Sequence, residues 1–384
     1  MHERFMAQRA LALHRAHRGK LEIHSVVPLR NRRDLSLAYT PGVAAVCRAI
    51  AADPEQADCM TMRGRTVAVI TDGSAILGLG NLGARAALPV MEGKAILLKA
   101  FGGVDAIPIC LDTQNVDEIV RTVRHIAPAF AGINLEDIAA PRCFAIERRL
   151  QRILDIPVFH DDQHGTATVV LAGLINALFL RRLRARDARV VVNGAGAAGT
   201  AVTKLLFAYG FRRVTVVDRN GIIYRGRPKL SAHKRDLARL TGMLKKPAGG
   251  TRLEDALRAA DVFIGVSAGN VLSSAAVRTM HPHPVIFALA NPVPEIAPPA
   301  ARRAGASIIA TGRSDFPNQI NNLLAFPGIF RGAIDHGVRR ITDAMLIDAA
   351  RRIAACVRRP SPNAIVPSVF DPRVARAVAR AIRP

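Results

Sequence analysis

A chain of 384 residues, half of them hydrophobic, is long enough for two domains with separate cores and long for a single compact unit. Its 54 lysines and arginines against 30 aspartates and glutamates leave a net charge of +24, but the excess is scattered and comes with no tryptophan and few stacking aromatics, which argues against a nucleic-acid partner. Five cysteines without a CxxC pair speak against a disulfide framework and read as reduced, mostly buried thiols of a cytoplasmic protein.

The basic N-terminus lacks the apolar core and small-residue cleavage site of an export signal. Short apolar runs at 66–71, 95–100 and 106–111 read as buried strands between helical stretches. A change of character follows near 155–165. The longest apolar run, Thr166–Leu180, stops short of the ~20 residues a bilayer needs and reads as a buried helix, so no membrane span is expected. Beyond it, runs at 189–192, 214–217, 262–266, 285–290 and 307–310 alternate with helical sequence. That alternation predicts an α/β fold: a first α/β domain over 1–160, then a doubly wound parallel sheet over 161–384. Apolar residues at helical spacing from Ile341 onward predict C-terminal helices, with an irregular proline-rich stretch at 360–372.

The run Asn193-Gly194-Ala195-Gly196-Ala197-Ala198-Gly199 carries GxGxxG between a strand and a helix, the Rossmann-type dinucleotide fingerprint. Gly194 permits the tight turn, Gly196 lets the backbone approach the pyrophosphate, and Gly199 allows close helix–strand packing. Asp218 ends the next strand, 24 residues after Gly194, where a carboxylate accepts from the adenine ribose. It would repel a 2′-phosphate, whereas Arg219, Arg225, Arg227 and Lys229 would attract one. Of NAD and NADP, the balance favours NAD.

Two acidic clusters, Asn134-Leu135-Glu136-Asp137 and His160-Asp161-Asp162-Gln163-His164, each follow a strand-like run. Three carboxylates gathered at one point would suit Mg2+ or Mn2+. Adjacent acids on a regular strand face opposite ways, so Glu136 and Asp137 must lie where the strand ends if both bind. His160 and His164 lack the Glu of an HExxH zinc pattern and read as supporting residues.

The segments Leu35 to Val43, Thr71 to Asn81, Pro89 to Lys94, Gly132 to Asp137, Phe159 to Thr166, Ala290 to Glu295 and Gly312 to Asn322 resemble the bacterial malic enzymes, in order, from about residue 20 to about residue 380. The resemblance implies oxidative decarboxylation of L-malate to pyruvate and CO2 with NAD or NADP and a divalent metal. It also implies the short form of the enzyme, without an appended phosphotransacetylase-like domain, and a homodimer or larger homo-oligomer. Residue by residue, it implies Lys94 as the base for the C2 hydroxyl proton. A base must be neutral, so the lysine pKa is expected to be lowered by burial and nearby positive charge. Tyr39 is implied as the acid that protonates C3, and Asp161 as a proton-carrying or orienting carboxylate. Glu136, Asp137 and Asp162 are implied as metal ligands, Asn291, Asn322 and, more weakly, Asn321 as substrate amides, and Ser267 as part of the nicotinamide pocket. The eukaryotic enzymes clamp a substrate carboxylate with an arginine that the stretch 101–105 lacks, so the group for the distal carboxylate is left unassigned. Two other activities are compatible with the dinucleotide fingerprint: a dehydrogenase of another β-hydroxy acid, which needs no acid for C3, and a non-catalytic dinucleotide-binding regulator, which needs none of Lys94, Tyr39 and the carboxylates.

Overall fold

Period-two alternation in the strands sorts the apolar side chains onto two faces of each sheet. The computed structural model describes residues 2–384, with side chains from Phe5 onward; Met1, the first residue of the expected N-terminal domain, lies outside the described residues. The first sheet has the order β2-β1-β3-β4, with β1 (Thr66–Thr71), β2 (Asp105–Cys110), β3 (Gly132–Leu135) and β4 (Val158–His160) all parallel. Val67 and Val69 of β1 face one core, and Ala68 and Ile70 face another with Ile119, Val123 and Ile146.

The second sheet runs β10-β9-β8-β5-β6-β7. It is built from β5 (Arg189–Asn193), β6 (Arg213–Asp218), β7 (Gly221–Ile222), β8 (Val262–Gly265), β9 (Val285–Ala288) and β10 (Ile308–Thr311). Five of these strands are parallel, and β7 turns back antiparallel on the end of β6. Val190 and Val192 share the larger core with the first sheet, whereas Val191, Phe263 and Ile286 fill the opposite face. In each sheet the chain leaves the first strand toward one side and returns to the other, so β1 and β5 sit at the switch points where α/β sheets open a crevice.

The helix Thr166–Leu180 is buried almost all round, as its apolar sequence required, and packs on the C-terminal helix Asp343–Ala355. Its Asn176 donates to the carbonyls of Ala354 and Ile365, at 3.0 and 2.9 Å, tying down the irregular tail.

Two expectations are corrected. Residues 95–100 form no strand but the end of the helix Ala84–Gly102, which buries Ala87, Met91, Lys94, Ala95 and Leu98 on one face. An apolar run this short fits a buried helix as well as a strand. The cysteines are all free, but only Cys143 is buried; Cys47 and Cys59 are exposed.

The helices Arg32–Ala38 and Val43–Ala52 contain no buried residue. Together they span a stretch apolar enough to cross a membrane by composition, but the break at Thr40-Pro41 divides it into helices of 7 and 10 residues, each short of the ~20 that a bilayer requires.

Phe330, fully buried on the helix Phe326–Asp335, meets Phe159 of β4 edge-on at 5.8 Å. Phe330→Ala should therefore cost about 3–5 kcal/mol of stability, read by urea unfolding.

Candidate active site

Glu136, Asp137, Asp161 and Asp162 all lie just past the C-terminal end of a strand in the first sheet. β3 stops at Leu135, and Asp137 takes φ 53°, so the strand alternation is broken just where two neighbouring acids need to converge. β4 stops at His160, and the next five residues, Asp161–Gly165, form a π-type turn that leads into the helix Thr166–Leu180. A side chain at Gly165 would start 1.8 Å from the Asp161 carboxylate, so only glycine lets that acid sit there. Carboxylate oxygens of Glu136, Asp137 and Asp162, one from each, fall within 4.8 Å of one another, and the Asp137 N–H donates to Asp162 Oδ2 at 2.8 Å.

These oxygens suit a hard divalent cation. Asp137 Oδ2 is buried with no partner among the described residues, the kind of orphaned acceptor that a cation satisfies. Burial and the neighbouring carboxylates push Asp137 up to about 9 and, with Lys94 opposing, Asp162 up to about 6. Burial also raises Glu136, despite Lys94.

Lys94 reaches this cluster from the helix Ala84–Gly102. Its Nζ lies 2.5 Å from Asp161 Oδ2 and 2.9 Å from Glu136 Oε1, and 4.3 Å from the centre of the Phe326 ring. Asn322 Nδ2 donates to the same Asp161 oxygen, and Asn134 Nδ2 holds Glu136 Oε2 at 2.9 Å. The expected lowering of the lysine pKa is overturned here. Burial alone would lower it, but Asp161, Glu136 and Asp162 outweigh burial and raise it above the ordinary lysine range. The expected positive neighbours are carboxylates instead, and they stabilise the ammonium.

Tyr39 does not join the group. It is 64% exposed on the turn after Arg32–Ala38, whereas Lys94, Glu136, Asp137 and Asp161 are buried. Asn321 spends its side-chain oxygen on Leu323 N–H at 2.9 Å, capping a short turn.

The second sheet supplies a cleft of about 840 Å3 beside this cluster. Gly194, Ala195, Gly196, Asp218 and Ser267 line it, together with Ala140 and Pro141 from the first sheet's side. Ala197, Ala198 and Gly199 form the first turn of the helix Ala197–Tyr209, which packs on the 161–165 turn. Gly194 holds φ 124°, and a side chain at Gly199 would start 1.8 Å from the Gly194 carbonyl. Ser267 is fixed by Asn193 Nδ2, which donates to its Oγ at 2.8 Å, and by Glu295, which accepts its N–H at 3.0 Å. Asn291 is exposed outside these walls, where its carbonyl approaches Gly78.

Asp218 is the most heavily engaged residue of the cleft. Arg227 donates to its two oxygens at 2.9 and 2.5 Å, Lys234 to Oδ2 at 2.7 Å, and Asn220 N–H to Oδ1 at 2.8 Å. Burial opposes its charge, but the bonds from Arg227 and Lys234 prevail and hold its carboxyl down at about 2.

Three residues escaped the sequence reading: Lys234, the buried Glu295, and Glu147. Glu147 stays below the ordinary carboxyl range because His164 and His160 outweigh its burial. A lone acid inside a helical pattern, as Glu147 is, gives no signal of its own, and only the fold shows what it holds.

Comparison with known proteins places these features. A family model described as "Malic enzyme, N-terminal domain" matches residues 18–151, and one described as "Malic enzyme, NAD binding domain" matches 163–383. The chain is 53% identical to the bifunctional malic/malolactic enzyme of Bacillus subtilis, over 98% of this chain and 92% of that protein. It is 49% identical to the NADP-dependent malic enzyme of Rhizobium meliloti, over 98% of this chain and about half (51%) of that protein. The crystal structure of the NAD-dependent malic enzyme of Thermotoga maritima superposes with a TM-score of 0.93 at 50% identity, covering 97% of this chain and 98% of that one.

The carboxyl groups raised by burial and by one another's charge set a pH dependence. With folded-state values above those of the unfolded chain, their protonated forms favour the fold, so this contribution is lost as pH rises through about 6 and then about 9. Cation binding requires the ionised forms. Mn2+ affinity, measured by calorimetry, should therefore climb steadily from pH 6 toward pH 9, and the melting-temperature gain from added Mn2+ should be larger at the alkaline end.

Proposed function

Because the chain belongs to the malic enzyme family, we infer that the buried lysine and carboxylates beside its dinucleotide cleft carry out the family's reaction. That reaction is the oxidative decarboxylation of malate with reduction of a nicotinamide dinucleotide. One observation carries the assignment of residues: Lys94 Nζ held at 2.5 Å by Asp161 and 2.9 Å by Glu136, just past the C-terminal ends of β4 and β3.

In this reading residues 1–160 form the substrate side and 161–384 the coenzyme side. Glu136, Asp137 and Asp162 would hold Mg2+ or Mn2+, which when bound polarises a substrate oxygen and stabilises developing negative charge. Lys94 takes the C2 hydroxyl proton. The amine becomes available as a base only when the negative charge of Glu136 and Asp162 is spent elsewhere, leaving burial to favour the neutral form. Asp161, at 2.5 Å, is the acceptor through which Lys94 passes its proton on. Asn322 orients Asp161 and, with Asn291, supplies neutral amides for the substrate carboxylates; Asn321, committed to its turn, is the weaker partner. Ser267 stands at the nicotinamide end of the cleft and Asp218 at the adenine ribose.

The coenzyme preference turns on Asp218. All four of its acceptor positions are filled in the free protein, two of the donors being the cations Arg227 and Lys234. A ribose hydroxyl must displace Lys234 to reach it, and a 2′-phosphate would find Lys234 ready. We therefore extend the sequence-based preference for NAD to both coenzymes. Malate, Mn2+ and either coenzyme should give reduced nicotinamide absorbance, with kcat/KM values within about tenfold of each other. No turnover with either coenzyme would overturn the function, and a preference beyond about a hundredfold would overturn the dual use.

Tyr39 is proposed as the acid at C3, delivered to the site of a second copy in a homodimer. What supports this is the unburied N-terminal arm, where Leu37 is 68% and Val26 75% exposed, an apolar face that water does not favour. Lys94→Ala and Tyr39→Phe chains should each be nearly inactive. Unfolded together and refolded, they should regain about a quarter of wild-type activity, because one site in four then combines both intact residues. No recovery would return Tyr39 to the site of its own chain.

A further inference from the structure

We propose that Glu147 is a positioning residue for the cation site: its carboxylate clamps the Asp161–Gly165 turn from behind and so sets where Asp162 meets Glu136 and Asp137. The inference rests on the reading that these three acids hold a divalent cation.

Glu147 stands on the helix Arg142–Ile153 and is 6% exposed. Its Oε1 accepts the His160 backbone N–H at 3.1 Å and lies 2.9 Å from His164 Nε2, and its Oε2 accepts Gln163 Nε2 at 3.0 Å. The three donors flank Asp161 and Asp162, and none belongs to either acid. The groups that hydrogen-bond those two carboxylates among the described residues, Lys94, Asn322 and the Asp137 N–H, are themselves part of the reacting cluster. Their hold changes whenever charge in the cluster changes. Glu147 grips the same turn through atoms that neither a cation nor a substrate needs, so its hold persists through turnover.

The chemistry of the position demands a carboxylate. Three donors converge on two oxygens, and an ionised carboxyl group only accepts. An amide at 147 would keep the bonds at Oε1 and set its NH2 against the NH2 of Gln163. Exchanging the two groups, by Glu147→Gln with Gln163→Glu, restores a donor facing an acceptor at that contact while leaving Oε1 as it was.

The test is Mn2+ titration of the full-length, metal-free protein, with free Mn2+ read by electron paramagnetic resonance and folding checked by circular dichroism. Glu147→Gln should weaken Mn2+ binding by about 10- to 100-fold, the usual effect of losing a group that orients a metal ligand. The double exchange should recover most of the loss, which a merely structural role would not produce. Affinity unchanged in Glu147→Gln, or a loss that the exchange does not relieve, would overturn the proposal. If Glu147→Gln does not fold, Gln163→Met and His164→Asn each remove one bond and keep the carboxylate; both should weaken Mn2+ binding, and unchanged affinity in both is equally decisive against it. A wild-type chain that takes up no Mn2+ would overturn the cation site and the proposal together, whereas one that binds leaves only the part played by Glu147 in question.

Discussion

An ammonium sealed among carboxylates is the constraint around which this molecule is arranged. Lys94, Asp161, Glu136 and their neighbours lie in the interior, where a lone charge costs several kcal/mol and survives only with partners. Each charge therefore needs the others. Two of the acids are paired with the lysine, yet burial and the neighbouring carboxylates still raise Asp137 to about 9. On the proposed reading, a divalent cation entering such a cluster would meet carboxylates already assembled, and their mutual repulsion would be relieved by its charge.

The fold makes this assembly possible because parallel strands end together. β1, β3 and β4 deliver their C-terminal ends to one edge, and the second sheet brings the GxGxxG turn after β5 to the same crevice. The shared core, in which Val67 and Val69 belong to the same cluster as Val190 and Val192, holds the two edges in register. Through the helix Ala197–Tyr209, which both begins at the dinucleotide turn and packs on the 161–165 turn, the coenzyme side and the acidic side share one rigid element.

Much of this was legible in the sequence. The glycine fingerprint announced its strand and helix because each glycine answers a local steric demand, and the acidic clusters announced strand ends because adjacent acids cannot converge on a regular strand. What stayed hidden was whatever depends on a partner far along the chain. Residues 95–100 are apolar enough for a strand, and only their packing against β2 and the C-terminal helices decides for a helix. The lysine pKa went the wrong way because the sequence does not show which charges surround a buried amine. Glu147 and Lys234 gave no signal for the same reason: their meaning lies in residues 13 to 17 and 16 positions away.

The wide turn at Asp161–Gly165 sets the orientation of the helix that follows it. A π-type turn carries an extra residue beyond the α-helical repeat, and the buried helix Thr166–Leu180 begins directly after it. Removing or adding one residue there would rotate that helix by about 100° about its axis relative to β4, turning a different set of its side chains toward every neighbour it touches. The length of the turn is therefore as constrained as its side chains, Gly165 and Asp161 above all.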